Sequence, residues 1–418
     1  MKKIMFFAIA AAGLLASCTS DDNFDANASL SQESAADGRM PIEIGLGKVA
    51  SVSTRGTGTV GDTGIANNVW KNQKVNILMF KKGTLDLALI DSIKNRYPIY
   101  NCTEFSTQYV PGSNKNRAID MLDSIKYYPA KGQFDFWGYR LDGADAGFEA
   151  PTYNVDATGC SYPGDTLKID FKIDGSQDIM VAKATPSEED KTDHPDAANR
   201  AYSAYSARNG VQPELIFQHL LTRLNFVIVA GDLAATGDKG IFVDKITVKS
   251  KTTGKLIAAY KNVTVDDNKR IEWDQESIDT LSLKRRPNDN DENKNLIDLD
   301  PVQPTGERHF DTVTNDSVFD EVKIGEALLV APDSQYDIDI YMHQTVVIKD
   351  DGENPKVTDK KEFSTSDVLK LKNGGDFQMG HTYKVAITLY GLSDIQITTT
   401  LTGWQEDEII SIKPEDNL

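Results

Sequence analysis

The residues best placed to do chemistry begin with Cys18, which closes the run Leu15-Ala16-Ser17-Cys18. Small residues just before a cleavage point are the signal-peptidase pattern, and a Cys directly after them is the lipobox of bacterial lipoproteins. What precedes it agrees. Lys2 and Lys3 form a basic n-region and Ile4 to Leu15 an apolar h-region. That stretch is too short for a spanning helix, which needs roughly 20 apolar residues. The expected chemistry is acylation of Cys18 with palmitate-type chains. One chain binds a membrane marginally, at ~0.8 kcal/mol per buried CH₂, and a lipoprotein Cys carries several, so the anchor would hold.

Other constellations point nowhere catalytic. Gly56-Thr57-Gly58-Thr59-Val60-Gly61 has the G-x-G-x-x-G spacing, but a dinucleotide site needs a strand before it and a helix after it. Here Asp62-Thr63-Gly64 follows, so a glycine loop is expected. His194, His219, His309, His343 and His381 are scattered, none at zinc spacing with another His or a Cys. His219, between Phe217 and Leu221, is expected to be a hydrogen-bonded structural residue. Asp289-Asn290-Asp291-Glu292-Asn293 is similar to the start of a calcium loop, but Lys294 stands at the sixth position and Asp300 at the twelfth, where Gly and Glu belong. No G-x-S-x-G elbow is present. The expectation is a non-enzymatic protein with no cofactor and no metal.

Charge bounds the partners. Lys plus Arg number 45 against 63 Asp plus Glu, a net −18. Before Gly56 there are five basic and six acidic residues, so nearly all of that charge lies beyond it. Nucleic-acid binders carry basic patches, so nucleic acid is excluded as a partner. With Cys18 lipidated, Cys102 and Cys160 remain. An oxidising envelope permits a disulfide between them, but sequence cannot place them within bonding distance.

These residues sit on strands. Ser20 to Met40 is polar and reads as a flexible tether. Ile42, Ile44 and Leu46 then alternate with Glu43, Gly45 and Gly47, the pattern of a half-buried strand. Val75 to Phe80 is apolar on both faces, as in a central strand. Ile125 to Pro129 and Phe134 to Tyr139 flank Ala130-Lys131-Gly132, which predicts a hairpin. Further strands are expected at Ile179–Val181, Leu215–Val229 (one long strand), Ile241–Val248, Glu326–Val330, Tyr336–Met342, Tyr383–Tyr390 and Ile395–Leu401. Ser187 to Gly210 reads as a linker or surface excursion, with the best helix candidate around Ala197 to Ala207. Asn288–Asp300 and Val347–Thr358 read as loops. With 39% hydrophobic residues and turn residues between short strands, the class is all-β sandwiches.

Three segments carry a family resemblance. Tyr127-Tyr128-Pro129 with Phe134-Asp135-Phe136-Trp137-Gly138-Tyr139, then Asp178-Ile179-Met180-Val181-Ala182, resemble first-domain motifs of the fimbrillins, the pilins of type V pili in Gram-negative anaerobes. Leu215-Ile216-Phe217-Gln218-His219-Leu220-Leu221-Thr222-Arg223-Leu224-Asn225-Phe226 resembles the motif that opens their second domain. Gly380-His381-Thr382-Tyr383-Lys384-Val385 and Trp404 follow their closing pattern. Thr19-Ser20-Asp21-Asp22 resembles the acidic signals that send lipoproteins to the outer surface, and triplets such as Asp279-Thr280-Leu281 and Asp316-Ser317-Val318 resemble O-glycosylation acceptors.

The resemblance implies two tandem transthyretin-like β-sandwich domains. The expected plan is a signal peptide over 1–17, a lipidated tether over 18–40, and domains over 41–205 and 206–418. It also implies a surface-exposed, lipid-anchored outer-membrane precursor that an Arg-specific protease trims. The cut is expected after Arg55, in the Gly-rich loop where nicking concentrates, with Arg39 as the rival site. Cutting at Arg55 discards the strand of Ile42, Ile44 and Leu46, and a neighbour's strand fills the groove. The tail, with Ile410 and Ile412 alternating, is the candidate donor strand. The implied partners are other copies or homologous pilus subunits, with a host or bacterial surface ligand for adhesion. The alternative is a non-polymerising surface lipoprotein that binds glycan or host protein, an anchor or tip subunit or a stand-alone adhesin.

Overall fold

Phe134 and Phe136 point to one side of the strand Phe134–Leu141, Trp137 and Tyr139 to the other, and all four are buried. A strand buried on both faces must lie inside layered sheets, and the same holds for Lys74–Lys81, where Val75, Ile77, Leu78, Met79 and Phe80 are all inaccessible. The computed structural model describes residues 39–46, 74–85, 89–91, 95–98, 103–109, 116–120, 126–141, 154–156, 159–161, 164–266, 269–287, 296–312, 315–349, 357–371, 374–391 and 395–401. Over these residues the fold is all-β, with three short helices, α1 (Glu188–Asp193), α2 (Pro195–Asn199) and α3 (Ala204–Arg208), and a 3₁₀ turn.

An eight-stranded sheet runs, in spatial order, Glu214–Leu215, Ile44–Leu46, Asn116–Asp120, Thr103–Tyr109, Lys74–Lys81, Phe134–Leu141, Ile179–Lys183 and Gln218–His219. Its first and last members belong to one segment, and three residues reach at most roughly 11 Å, so Leu215 and Gln218 draw the two sheet ends together. One face covers a core with α2, α3 and the turn between them, which contribute Ala197, Ala201, Tyr202, Ala204 and Ala207. Gly138 is needed beneath that cover, because a Cβ there would meet the Phe217 ring at 2.7 Å. The other face packs on a three-stranded sheet of Thr166–Lys172, Thr253–Tyr260 and Ile271–Trp273. Two four-stranded sheets enclose a further core: Val322–Val330, Thr222–Ala230, Thr382–Leu389, Ile395–Leu401 on one side, and Ile278–Ser282, Ile241–Lys251, Gln335–Lys349, Val357–Lys370 on the other.

Four local expectations are corrected. The 125–139 hairpin does not form. Phe134–Leu141 already has Lys74–Lys81 and Ile179–Lys183 on its two edges, so Tyr127 pairs instead with Pro41. The long 215–229 strand is three pieces, because its apolar residues serve three cores: Leu215 and Phe217, then Leu220 and Leu221, then Leu224 and Phe226. The 187–210 stretch is no linker, since its alanines and Tyr202 are core. Gln335–Lys349 and Val357–Lys370 pair from Gln335↔Lys370 to Lys349↔Val357, so strand extends into the expected 347–358 loop.

Candidate functional site

Ile44–Leu46 is held on both sides. It runs antiparallel to Asn116–Asp120, with Ile44 opposite Ala118 and Leu46 opposite Asn116, and parallel to Glu214–Leu215, with Gly45 opposite Glu214. The approach is tied as well. Ile42 N–H donates to Lys126 O at 2.8 Å, Tyr128 N–H to Met40 O at 3.0 Å, and Gly45 N–H to Pro213 O at 3.0 Å. Gln212 bridges the same backbone, its Oε1 3.4 Å from Glu43 N and its Nε2 3.4 Å from Pro41 O. The alternation then does its work: Met40, Ile42, Ile44 and Leu46 are buried among Val75, Ile77, Met79, Phe136 and Leu215, while Glu43 and Gly45 are half-buried. Taking this strand away would leave two unpaired edges, two strand spacings or roughly 9–10 Å apart, above an opened apolar core. Such a slot accepts one extended strand.

Arg39 is exposed, and its guanidinium lies 4.4 Å from the centre of the Tyr127 ring. The next residue, Met40, is already buried. Cys18, Arg55, Ile410 and Ile412 lie outside the described residues, as do the 53–64 glycine loop, the acidic run at Asp289–Asn293, and Cys102, the candidate disulfide partner of Cys160. His219 is the structural residue expected: its Nδ1 sits 2.7 Å from Asp178 Oδ2, with both side chains almost fully enclosed. Near the strand's seat, burial pushes the Tyr202 phenol well above its ordinary range, helped by Asp190, Glu214 and Asp135. Among the described residues no group of three His, Cys, Asp or Glu could hold a metal, and no helix is long and apolar enough to cross a membrane. Of the glycosylation-like triplets, Thr280 and Ser317 are exposed.

Sequence reasoning put Leu215 in a strand but missed Gln212 to Glu214 and their role as the far wall of the slot. Its partner Glu43 is 169 residues away, and nothing local marks a two-residue parallel strand. A signal was the spacing of Val211, Leu215 and Phe217 at every second or fourth residue, on one side of a strand.

The fimbrillin-like family matches residues 59–404, so the seated strand and the tail beyond Trp404 fall outside the matched span. Among solved structures, a candidate cell adhesion protein of Bacteroides uniformis is 13% identical, with 89% of this chain and 100% of that chain covered at a TM-score of 0.44. Another from Bacteroides ovatus is 14% identical, covering 90% and 99% at 0.40. A fimbrial protein of Bacteroides ovatus is 11% identical, covering 88% of this chain and 54% of that one at 0.24. No curated protein matches.

Proposed function

The chain belongs to the fimbrillin-like family, and from that premise we propose that it is a structural subunit of a cell-surface pilus, exported as a lipoprotein acylated on Cys18. The precursor is anchored in the outer membrane and cut after Arg55. The cut removes Ile42, Ile44 and Leu46, and a strand from another copy or a homologous subunit takes their place. Two transthyretin-like sandwich domains, with strands that cross the boundary near residue 206 and a core shared between them, would form each subunit.

The observation that carries this reading is the seat of Ile44–Leu46. The strand lies between two others with its apolar side chains in the core, so its loss creates a slot that another strand can fill. The fimbrillin-like family supports the coarser role of pilus or adhesin subunit, with a surface location and no catalysis. The seat also lends weight to a second reading. A chain that keeps its own strand is a closed monomer, suited to a lipid-anchored surface adhesin for glycan or host protein.

The test is mass spectrometry of material sheared from the cell surface. Chains starting at Gly56 are expected; chains that all retain Ile42 would favour the second reading. In the same strain, Ile410→Asp with Ile412→Asp should abolish fibres seen by electron microscopy, because an unpaired carboxylate is costly to bury. Normal fibres would rule out the tail as donor.

A further inference from the structure

We infer that the slot fixes the direction of any strand that replaces Ile44–Leu46, and that the Gln212 side chain is a positioning clamp that reads this direction. For the replacement strand the inference rests on the pilus reading; the clamp on the resident strand stands without it. The two walls of the slot are unequal. On one side the resident segment runs antiparallel to residues 126–128, through the Pro41↔Tyr127 bridge, Ile42 N–H to Lys126 O and Tyr128 N–H to Met40 O. The same side continues along Asn116–Asp120, through Ile44↔Ala118, Gly45↔Arg117 and Leu46↔Asn116. On the other side the segment runs parallel to Glu214–Leu215 over two pairs. Parallel bonds are slanted and slightly weaker per residue. Turning the occupant round would make the long wall parallel and only the short wall antiparallel. The resident direction is therefore the stable one for any extended chain.

Gln212 sharpens the choice. Gly45 N–H donates to Pro213 O at 3.0 Å, but the next rung back along that wall needs an N–H that Pro213 lacks. The Gln212 carboxamide takes over, its Oε1 accepting from Glu43 N–H and its Nε2 donating to Pro41 O, each at 3.4 Å. Tyr128 O–H, also 3.4 Å away, donates to the same Oε1. The amide fits one way round, since a flip would set its NH₂ against the Glu43 N–H and its oxygen against the Pro41 carbonyl. A carbonyl and an N–H on either side of Ile42 are what a parallel neighbour bonds. An antiparallel neighbour exchanges both bonds with a single residue. All these contacts are to main chain, so they carry over to a new occupant whatever its side chains. For a donor such as the tail, Ile410 would lie towards Tyr128 and Ile412 towards Leu215.

The clamp is tested in the full-length, unlipidated Cys18→Ala chain, where trypsin cleavage after Arg39 reports opening of the seat. Gln212→Met keeps the length but removes the amide, and should speed that cleavage about three- to tenfold. Gln212→Glu, which loses the NH₂ donor, should do so at least as much. Gln218→Met, at an exposed position on the neighbouring strand, should change nothing. Circular dichroism checks that each variant is folded. Unchanged cleavage in Gln212→Met, or an equal rise in Gln218→Met, removes the clamp. Direction is read in the same chain after an Arg-specific protease has cut it at Arg55. It is offered an excess of an alternating isoleucine–serine peptide that reads the same in both directions, with a photoreactive group at its first or its last residue. The first residue should label positions 126–128 and the last should label 116–117 or 214–216. The exchanged pattern, or both ends labelling both places, overturns the direction alone. A peptide that labels neither wall defeats strand replacement, and the direction with it, while the trypsin result still decides the clamp.

Discussion

His219 and Asp178 illustrate what a buried polar pair does at the residue scale. His219 lies on the short strand that closes one end of the eight-stranded sheet, and Asp178 just before its neighbour Ile179–Lys183. Neither reaches solvent, so each depends on partners made within the fold. Removing one member strands the other in a low-dielectric site. His219→Ala should therefore cost about 3–5 kcal/mol, the usual penalty for breaking a buried pair, read as loss of stability in urea. Replacing both residues by Leu should cost much less, because no uncompensated group remains. Equal losses in the two variants would show that packing, not the pair, is what His219 supplies.

At the scale of elements, the seated strand decides which arginine is a usable cut site. A protease must draw several residues on each side of the bond into an extended conformation. Beyond Arg39, Met40 and Ile42 are buried and their backbones are tied to Tyr128 and Lys126. Arg39 should thus resist trypsin in the native chain although its side chain is exposed. Ile44→Asp places a carboxylate between two strands and against the core, which unseats the strand. Cleavage after Arg39 should then accelerate by an order of magnitude or more, since proteolysis of a native chain tracks the population of the open form. N-terminal sequencing of the timed digest checks this; rapid cutting at Arg39 in the unmodified chain would contradict the seating.

The two halves of the whole molecule share a core. Leu167, Ile169 and Phe171 of Thr166–Lys172 pack with Leu256, Ala258 and Ala259 of Thr253–Tyr260, and Trp137 edges against Tyr260. Lys168–Glu272 and Lys255–Asp170 ion pairs run along the outside of the same sheet, exposed and worth little each. A fragment of residues 41–205 therefore lacks two of the three strands in one wall of its sandwich and both end strands of its large sheet. It should show poorly dispersed amide resonances and bind hydrophobic dyes, as expected when specific packing is lost. A dispersed spectrum with a cooperative melt would establish that the first half folds alone.

Much of this was legible in the order of residues. Alternation at Ile42–Leu46 and Ile395–Leu401 predicts strand because side-chain direction in a strand repeats every two residues, a local property, and the short apolar run Ile179–Val181 was legible as a strand buried on both faces. The family motifs and the structural role of His219 were readable for the same reason. What the sequence could not supply was the pairing. Tyr127 meets Pro41 instead of hairpinning onto Phe134, and Leu215 lies beside Leu46. Sheet hydrogen bonds join main-chain groups common to every residue, so a strand's pattern announces that it will pair without naming its partner. Which edges meet depends on how many faces each strand must bury, and that was decided only when the three cores were assembled together.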